Sequence, residues 1–295
     1  MPDMPAADVD VSVDLVRRLL RDQHPDLAEL PLRVVANGWD NVVLRLGDEL
    51  AVRVPRRALA AVLVEHEQRW LPGLAGHLPV PVPAPVRTGV PALGYPWSWS
   101  VVPWFDGTRM LDLPAPARRP AAAPLAAFVA ALHRPAPPDA PVNPYRGVPL
   151  AARDAAVRER LATGHVPDAP LVLAVWERLL ASPVWDGPPL WLHGDLHPGN
   201  LVCGPDGTLR AVVDFGDMTA GDPATDLAAA WLVLDDVGRA EFRDAVTAAC
   251  GTTAATWDRA RASALAVTTS LLVHSDDNPL YGELGRQTLD AVLGG

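Results

Sequence analysis

Apolar residues fall at Val13, Val16, Leu19 and Leu20 in DVDVSVDLVRRLLRDQ, a spacing that predicts a short amphipathic helix. The period then changes. LRVVA (32–36), VVLRL (42–46) and LAVRVP (50–55) read as strands, separated by the turn NGWDN (37–41) and the tight hairpin GDE (47–49). Helical spacing returns in RALAAVLVEHEQRWL (57–71), and 79–103 is a proline-punctuated extended run ending in WSWSVVP, a further strand. The PVPVPAPV segment within that run suits an edge strand or polyproline II equally well. From about 110 the pattern is helical over 121–134, 150–162, 171–181, 224–234, 239–249, 255–274 and 281–293, interrupted by two short strands around LVCG and LRAVVDFG. The expected architecture is therefore a small antiparallel sheet with one packed helix, a proline-bearing crossing at 103–107, and a helical remainder without internal repeats.

Composition narrows the function classes. The 295 residues are 49% hydrophobic, enough for one large core or two lobes. A formal net charge of -10 argues against a nucleic-acid or anionic-membrane partner, either of which would demand a basic face. Acidity of this size is also an ordinary solubility device. Cys203 and Cys250 form neither a CxxC nor a disulfide framework, which fits a reducing compartment. The start, MPDMPAADVD, has no apolar core of a signal peptide and runs such as ALAVTTSLLV are too short to span a bilayer, so the expected location is the cytoplasm. All 25 basic residues are arginine; the chain contains no lysine.

The chemistry concentrates in WLHGDLHPGN (191–200). His193 and His197 are four apart, but Pro198 and two glycines forbid the regular helix that makes such a spacing converge on zinc. No GxSxG nucleophile elbow occurs anywhere in the chain. Phosphoryl transfer needs a carboxylate to orient the acceptor oxygen, hard oxygen ligands for magnesium, and positive charge on the phosphates. Asp195 lies five residues before Asn200, the offset of the protein-kinase catalytic loop, and after a hairpin-length interval AVVDFGD supplies Asp214 in a DFG triplet. On this pattern Asp195 accepts the hydroxyl proton, while Asn200 and Asp214 hold Mg2+.

The segments HGDLHPGN, DFGD and GDPATDLA (221–228) resemble the aminoglycoside phosphotransferase family of antibiotic kinases, which includes macrolide phosphotransferases. The resemblance runs from about 32 to the end. It implies an α+β, protein-kinase-like bilobal fold: an N-terminal nucleotide-binding lobe over 1–102, a hinge at 103–108, and a helical C-terminal lobe over 109–295. It implies ATP or GTP as phosphate donor and a small-molecule hydroxyl acceptor, an antibiotic of macrolide, aminoglycoside or nucleoside type. His193 and Asp226 match family positions that shape the loop, and a supporting role is expected for both.

The same resemblance distributes the nucleotide contacts. NGWDN would sit over the phosphates, with Gly38 permitting close backbone approach and Asn41 stiffening the turn, although an ordinary hairpin reads the same way. Where the family carries a phosphate-gripping lysine, LAVRVP presents Arg53, which keeps the charge and can bind phosphate oxygens; a GC-rich codon bias explains the absence of lysine equally well. Glu67 is the expected partner of Arg53, with Glu65 second because the two face different sides of the helix. At SVVPWFDG the carbonyl of Pro103 and the amide of Phe105 would face the base, and Trp97 is expected in the core. Acceptor candidates are His274, Asp276 and Asp277 in LVHSDDNPLY, together with the helices over 150–180, although such aspartates more often cap the next helix. The strand around Arg53 looks macrolide-like, whereas macrolide phosphotransferases tend to carry histidine in place of Asn200, so the acceptor stays open. So do a metabolite kinase of the same fold (choline, homoserine or ketosamine type) and a non-catalytic pseudokinase.

Overall fold

A computed structural model describes residues 6–275 and 278–294. The chain divides after Asp106 into two compact units, a boundary inside the segment expected as the hinge.

The first unit opens with α1 (Val13–Gln23), whose first turn is capped by the Ser12 hydroxyl accepting from Leu15 N at 3.2 Å. Its sheet contains β1 (Leu32–Asn37), β2 (Asn41–Leu46) and β3 (Leu50–Pro55), followed in the chain by α2 (Ala58–Ala75), β4 (Arg87–Gly89) and β5 (Trp99–Pro103). The strands are antiparallel in the order β1-β2-β3-β5-β4. Strict alternation buries Val42, Leu44 and Leu46 of β2, which meet Leu15, Val16, Leu19 and Leu20 of α1 around Trp99 and Tyr95. Trp97, expected in the core, is partly buried against this cluster. In β3 burial does not alternate. Val52 and Val54 join the cluster, while Arg53 takes the opposite face and meets α2, so both faces are covered.

One local expectation is corrected, and one alternative left open is decided. Helix α2 continues through Pro72 to Ala75 instead of ending at 71; Leu71 and Leu74 are both buried and hold the last turn despite the hydrogen bond the proline forfeits. PVPVPAPV forms no strand; Val80 and Val82 are buried, and Val86 N donates to Val101 O at 2.8 Å where the chain enters β4.

The second unit is mainly helical. It comprises β6 (Thr108–Arg109), α3 (Ala122–Leu132), α4 (Asp154–Ala162), α5 (Ala169–Leu180), β7 (Leu190–Leu192), β8 (Leu201–Cys203), β9 (Leu209–Val212), β10 (Thr219–Gly221), α6 (Ala224–Leu227), α7 (Ala229–Leu232), α8 (Asp236–Cys250), α9 (Ala254–His274) and α10 (Pro279–Leu293). Helix α9 is its centre: Ala260, Ala262, Ala264 and Ala266 are buried, and these small residues let α4, α5, α6 and α10 pack closely around it. The helix expected over 224–234 is two short helices, α6 and α7. Three short strands went unforeseen. β7 runs into the WLHGDLHPGN motif and pairs with β10, and β6 adds to the β8-β9 hairpin. Among the described residues no helix is long and apolar enough to cross a membrane.

Candidate active site

The pairing of β7 with β10 places Thr219 opposite Leu192, so the chain leaves the sheet directly into His193–Asn200. Asp226, at the start of the helical segment, is fully buried and accepts the amides of His193 and Gly194, each at 2.8 Å. Gly194 has φ of +87°, and a Cβ there would lie 2.3 Å from the carbonyl oxygen of Asp217; only glycine fits.

Hydrogen bonds fix the tautomer of both histidines. His193 Nδ1 accepts from Asp195 N at 3.2 Å, leaving Nε2 to donate to the Val213 carbonyl at 3.0 Å. His197 Nδ1 accepts from Gly199 N at 3.0 Å, so its Nε2–H faces Asp195 Oδ2 at 3.2 Å. Both rings are thus committed to holding the loop, which leaves neither as a metal ligand. Among the described residues no group of three or more His, Cys, Asp and Glu is arranged as a metal site.

Val213 joins the loop to the DFG segment twice, accepting from His193 Nε2 and donating its amide to Asn200 O at 2.9 Å. Phe215, fully buried, lies with its ring 4.5 Å from that of His193. Between these anchors Asp214 takes a left-handed backbone (φ 63°, ψ 72°) and is exposed. Asn200 donates Nδ2 to the backbone oxygen of Asp195 at 3.0 Å and to its Oδ2 at 3.3 Å, so the other end of the amide is an oxygen. An amide oxygen and a carboxylate on adjoining backbone segments are the hard donors Mg2+ takes from protein, with phosphate and water oxygens completing the shell. The residues therefore fit that ion.

Asp195 is held from three sides, by Arg146 NH2 on Oδ1 at 2.7 Å and by His197 and Asn200 on Oδ2. Burial alone would raise its carboxyl pKa. The Arg146 guanidinium, seconded by His197, overturns that and holds the group well below the usual carboxylate range.

In the first unit Arg53 and Glu67 are paired. Arg53 NH1 donates to both carboxylate oxygens at 2.7 and 2.8 Å, with exposures of only 8% and 1% for the two residues. Glu65 faces away and accepts from Ser98 Oγ at 3.3 Å. The turn over 37–41 is closed by Gly38 N donating to Asn41 O at 3.0 Å. Gly38 has no left-handed φ, and the side-chain oxygen of Asn41 is buried without a hydrogen bond, so the stiffening comes from elsewhere. Arg56 NH1 donates to Asn37 Oδ1 and Gly38 O, each at 3.1 Å, and Arg57 pairs with Asp40. Pro103 ends β5 opposite Leu50. Phe105 follows Trp104, which is pinned by its amide to Glu49 O, by its indole to Asp106, and by Arg45 over its ring.

A family-level sequence comparison matches residues 31–263 to the phosphotransferase enzyme family (APH). The chain belongs to that family. Solved structures with a similar fold include the GDP and kanamycin complex of APH(2")-IIia, at 20% identity and TM-score 0.70, covering 95% of this chain and 98% of that one. The apoenzyme of macrolide 2'-phosphotransferase MphH from Brachybacterium faecium follows at 22% identity and TM-score 0.61 (94% and 97% covered). ADP-bound aminoglycoside phosphotransferase APH(2'')-Ib gives 18% identity and TM-score 0.60 (96% and 99% covered). The expected protein-kinase-like α+β fold and the family resemblance are thereby borne out. No curated protein gives a significant sequence match.

In this phosphotransferase His274 is the exposed last residue of α9, and among the described residues no hydrogen bond or ion pair joins it to the loop 193–200. Asp276 and Asp277 lie outside the described residues. The residue of this region that reaches the loop is Tyr281 of α10, edge-on to His197 at 5.5 Å between ring centres; a Cβ on Gly199 would lie 2.4 Å from its hydroxyl. Sequence reasoning also missed Arg146, which bridges Asp195 and Asp217 from a loop nearly fifty positions upstream. NPYRG carries no periodic or spacing signal that could have found it.

Proposed function

We propose that this protein is a magnesium-dependent O-phosphotransferase that moves the γ-phosphate of ATP or GTP to a hydroxyl of a small-molecule antibiotic of macrolide, aminoglycoside or nucleoside type, and so inactivates it. One observation carries the reading: Asp195, Asn200 and the residue before Asp214 are linked by hydrogen bonds into one constellation. Support for the acceptor class comes from solved relatives of the fold that bind kanamycin or are macrolide phosphotransferases, and support for the donors from their GDP and ADP complexes.

Phosphoryl transfer of this kind is positioning plus charge stabilisation. Asp195, ionised, accepts the hydrogen bond of the acceptor hydroxyl and aims its oxygen for in-line attack. Asn200 and Asp214 would hold Mg2+, which when bound offsets charge on the phosphates. Arg53, kept in place by Glu67, contributes a guanidinium for phosphate oxygens.

The test is Asp195→Asn in a nucleotide-consumption assay. Turnover should fall by roughly 10²- to 10⁴-fold, and near-normal turnover would remove the assignment. Mass spectrometry of an antibiotic and metabolite library, incubated with enzyme, magnesium and either nucleotide, identifies the acceptor by its gain of one phosphate. A gain only on metabolite hydroxyls would overturn the antibiotic part of the reading.

A further inference from the structure

Residues 141–149, PVNPYRGVP, form a strap laid along the segment 217–225. Pro141 O accepts from Ala220 N at 3.1 Å and from Thr219 Oγ1 at 3.0 Å. Asn143 donates its amide to Thr219 Oγ1 and its Nδ2 to Asp217 Oδ1, each at 2.9 Å. Gly147 O accepts from Asp222 N, and Gly147 N donates to Thr225 Oγ1, each at 3.1 Å. Gly147 has φ of +68°, and a Cβ on Gly221 would lie 2.3 Å from its carbonyl oxygen, so the two backbones touch with no room for a side chain. The strap therefore has one register.

That register delivers one charged side chain. Arg146 donates Nε to Asp217 Oδ2 at 3.0 Å and NH2 to Asp195 Oδ1 at 2.7 Å, a planar fork spanning two carboxylates. A carboxylate has about four acceptor positions. On Asp195 three are used: His197 and Asn200 sit on Oδ2 and Arg146 on Oδ1. The remaining position is on Oδ1, beside the guanidinium.

We propose that Arg146 is a positioning residue which fixes the rotation of the Asp195 carboxylate, so that the one acceptor position left on Oδ1 is the one that receives the acceptor hydroxyl. The inference rests on the reading of Asp195 as the acceptor-orienting group. Stability alone does not require the arrangement, since a partly buried ion network is seldom better than apolar packing of the same volume. The fork geometry matters because a misplacement of about 1 Å is enough to cost on the order of 10²-fold in rate.

The experiment compares wild type, Arg146→Ala, Arg146→Lys, Asp217→Asn and Asp195→Asn as full-length proteins. Crystal structures of wild type and Arg146→Ala report the carboxylate directly, and phosphate transfer from MgATP and MgGTP is followed with kanamycin, a macrolide and water as acceptors. In Arg146→Ala the Asp195 carboxylate should rotate while the backbone of the strap stays in place. Transfer should show kcat reduced roughly 10- to 100-fold with nucleotide KM within about twofold, and exogenous guanidinium ion should restore part of it. Arg146→Lys, which keeps the charge and loses the fork, and Asp217→Asn, which loosens the far end, should fall between. A merely structural arginine would lower the melting temperature without a guanidinium-rescuable loss of kcat. An unrotated carboxylate in Arg146→Ala, or unchanged kcat in all three Arg146 and Asp217 variants beside an inactive Asp195→Asn, overturns this inference alone; an active Asp195→Asn overturns the function proposed above.

Discussion

Asp226 Oδ2 accepts the backbone amide of His193 at 2.8 Å, and its second oxygen does the same for the next amide, that of Gly194. A fully buried carboxylate thus holds two N–H groups that no strand partner reaches, with His133 Nε2 also 3.3 Å from Oδ2. Asparagine has the same shape but only one oxygen, and would set its own N–H₂ against a loop N–H. Asp226→Asn should lower stability by about 1 to 3 kcal/mol, read as a lower urea midpoint with unchanged slope, and should reduce turnover with it. An unchanged midpoint would show that the loop is held by something other than Asp226.

One nitrogen of Arg53 reaches both oxygens of Glu67, an arrangement a lysine ammonium can reproduce. Arg53→Lys should therefore keep the pair, with nucleotide KM raised less than about tenfold. Arg53→Ala instead strands a buried carboxylate, and about 3 to 5 kcal/mol of stability should be lost, visible by thermal or urea unfolding. Equal stability in the two variants would mean that the pair carries no load.

Much of this was legible because periodicity and spacing are local. Alternation in VVLRL, the 3.6 period in α1, and the five-residue step from Asp195 to Asn200 needed no knowledge of what lay across the fold. Choosing Glu67 over Glu65 was also local, because residues two apart on a helix face different ways. What stayed hidden depends on contacts between distant segments. Arg146 gains its meaning only when a strap of loop meets 217–225, and β7 and β10, three residues each, are strands only by pairing with one another. The expectation for Asn41 failed for a related reason: Arg56 and Arg57, lying between β3 and α2, brace that turn with their guanidinium groups. Pro72 misled because a proline near a helix end is weighed as a stop, whereas buried leucines on either side keep the turn wound.

Asp214 sits in the left-handed region, where asparagine is at home as readily as aspartate. Asp214→Asn should consequently fold like wild type while losing a charged oxygen ligand. Magnesium-dependent turnover should drop at least about 10²-fold, and the magnesium concentration needed for half-activity should rise. Full activity at ordinary magnesium would exclude Asp214 as a ligand.

Arg259 of α9 grips Asp222 with two nitrogens, Nε at 2.7 Å and NH2 at 3.2 Å, and also donates to Pro183 O at 2.8 Å; both residues are buried. Asp222 in turn accepts from Ala224 N at 3.0 Å, which starts α6, and its own amide holds Gly147 O. Replacing the arginine by methionine keeps much of the volume and removes the charge, so the aspartate is left ionised in an apolar setting or must take up a proton. Arg259→Met should cost about 3 to 5 kcal/mol. If that loss is the stranded charge rather than missing packing, Asp222→Asn added to Arg259→Met should recover part of it, because a neutral amide still accepts from Ala224 N. The double-mutant cycle distinguishes the two: additive losses would assign the cost to packing, and a double variant more stable than Arg259→Met alone assigns it to charge.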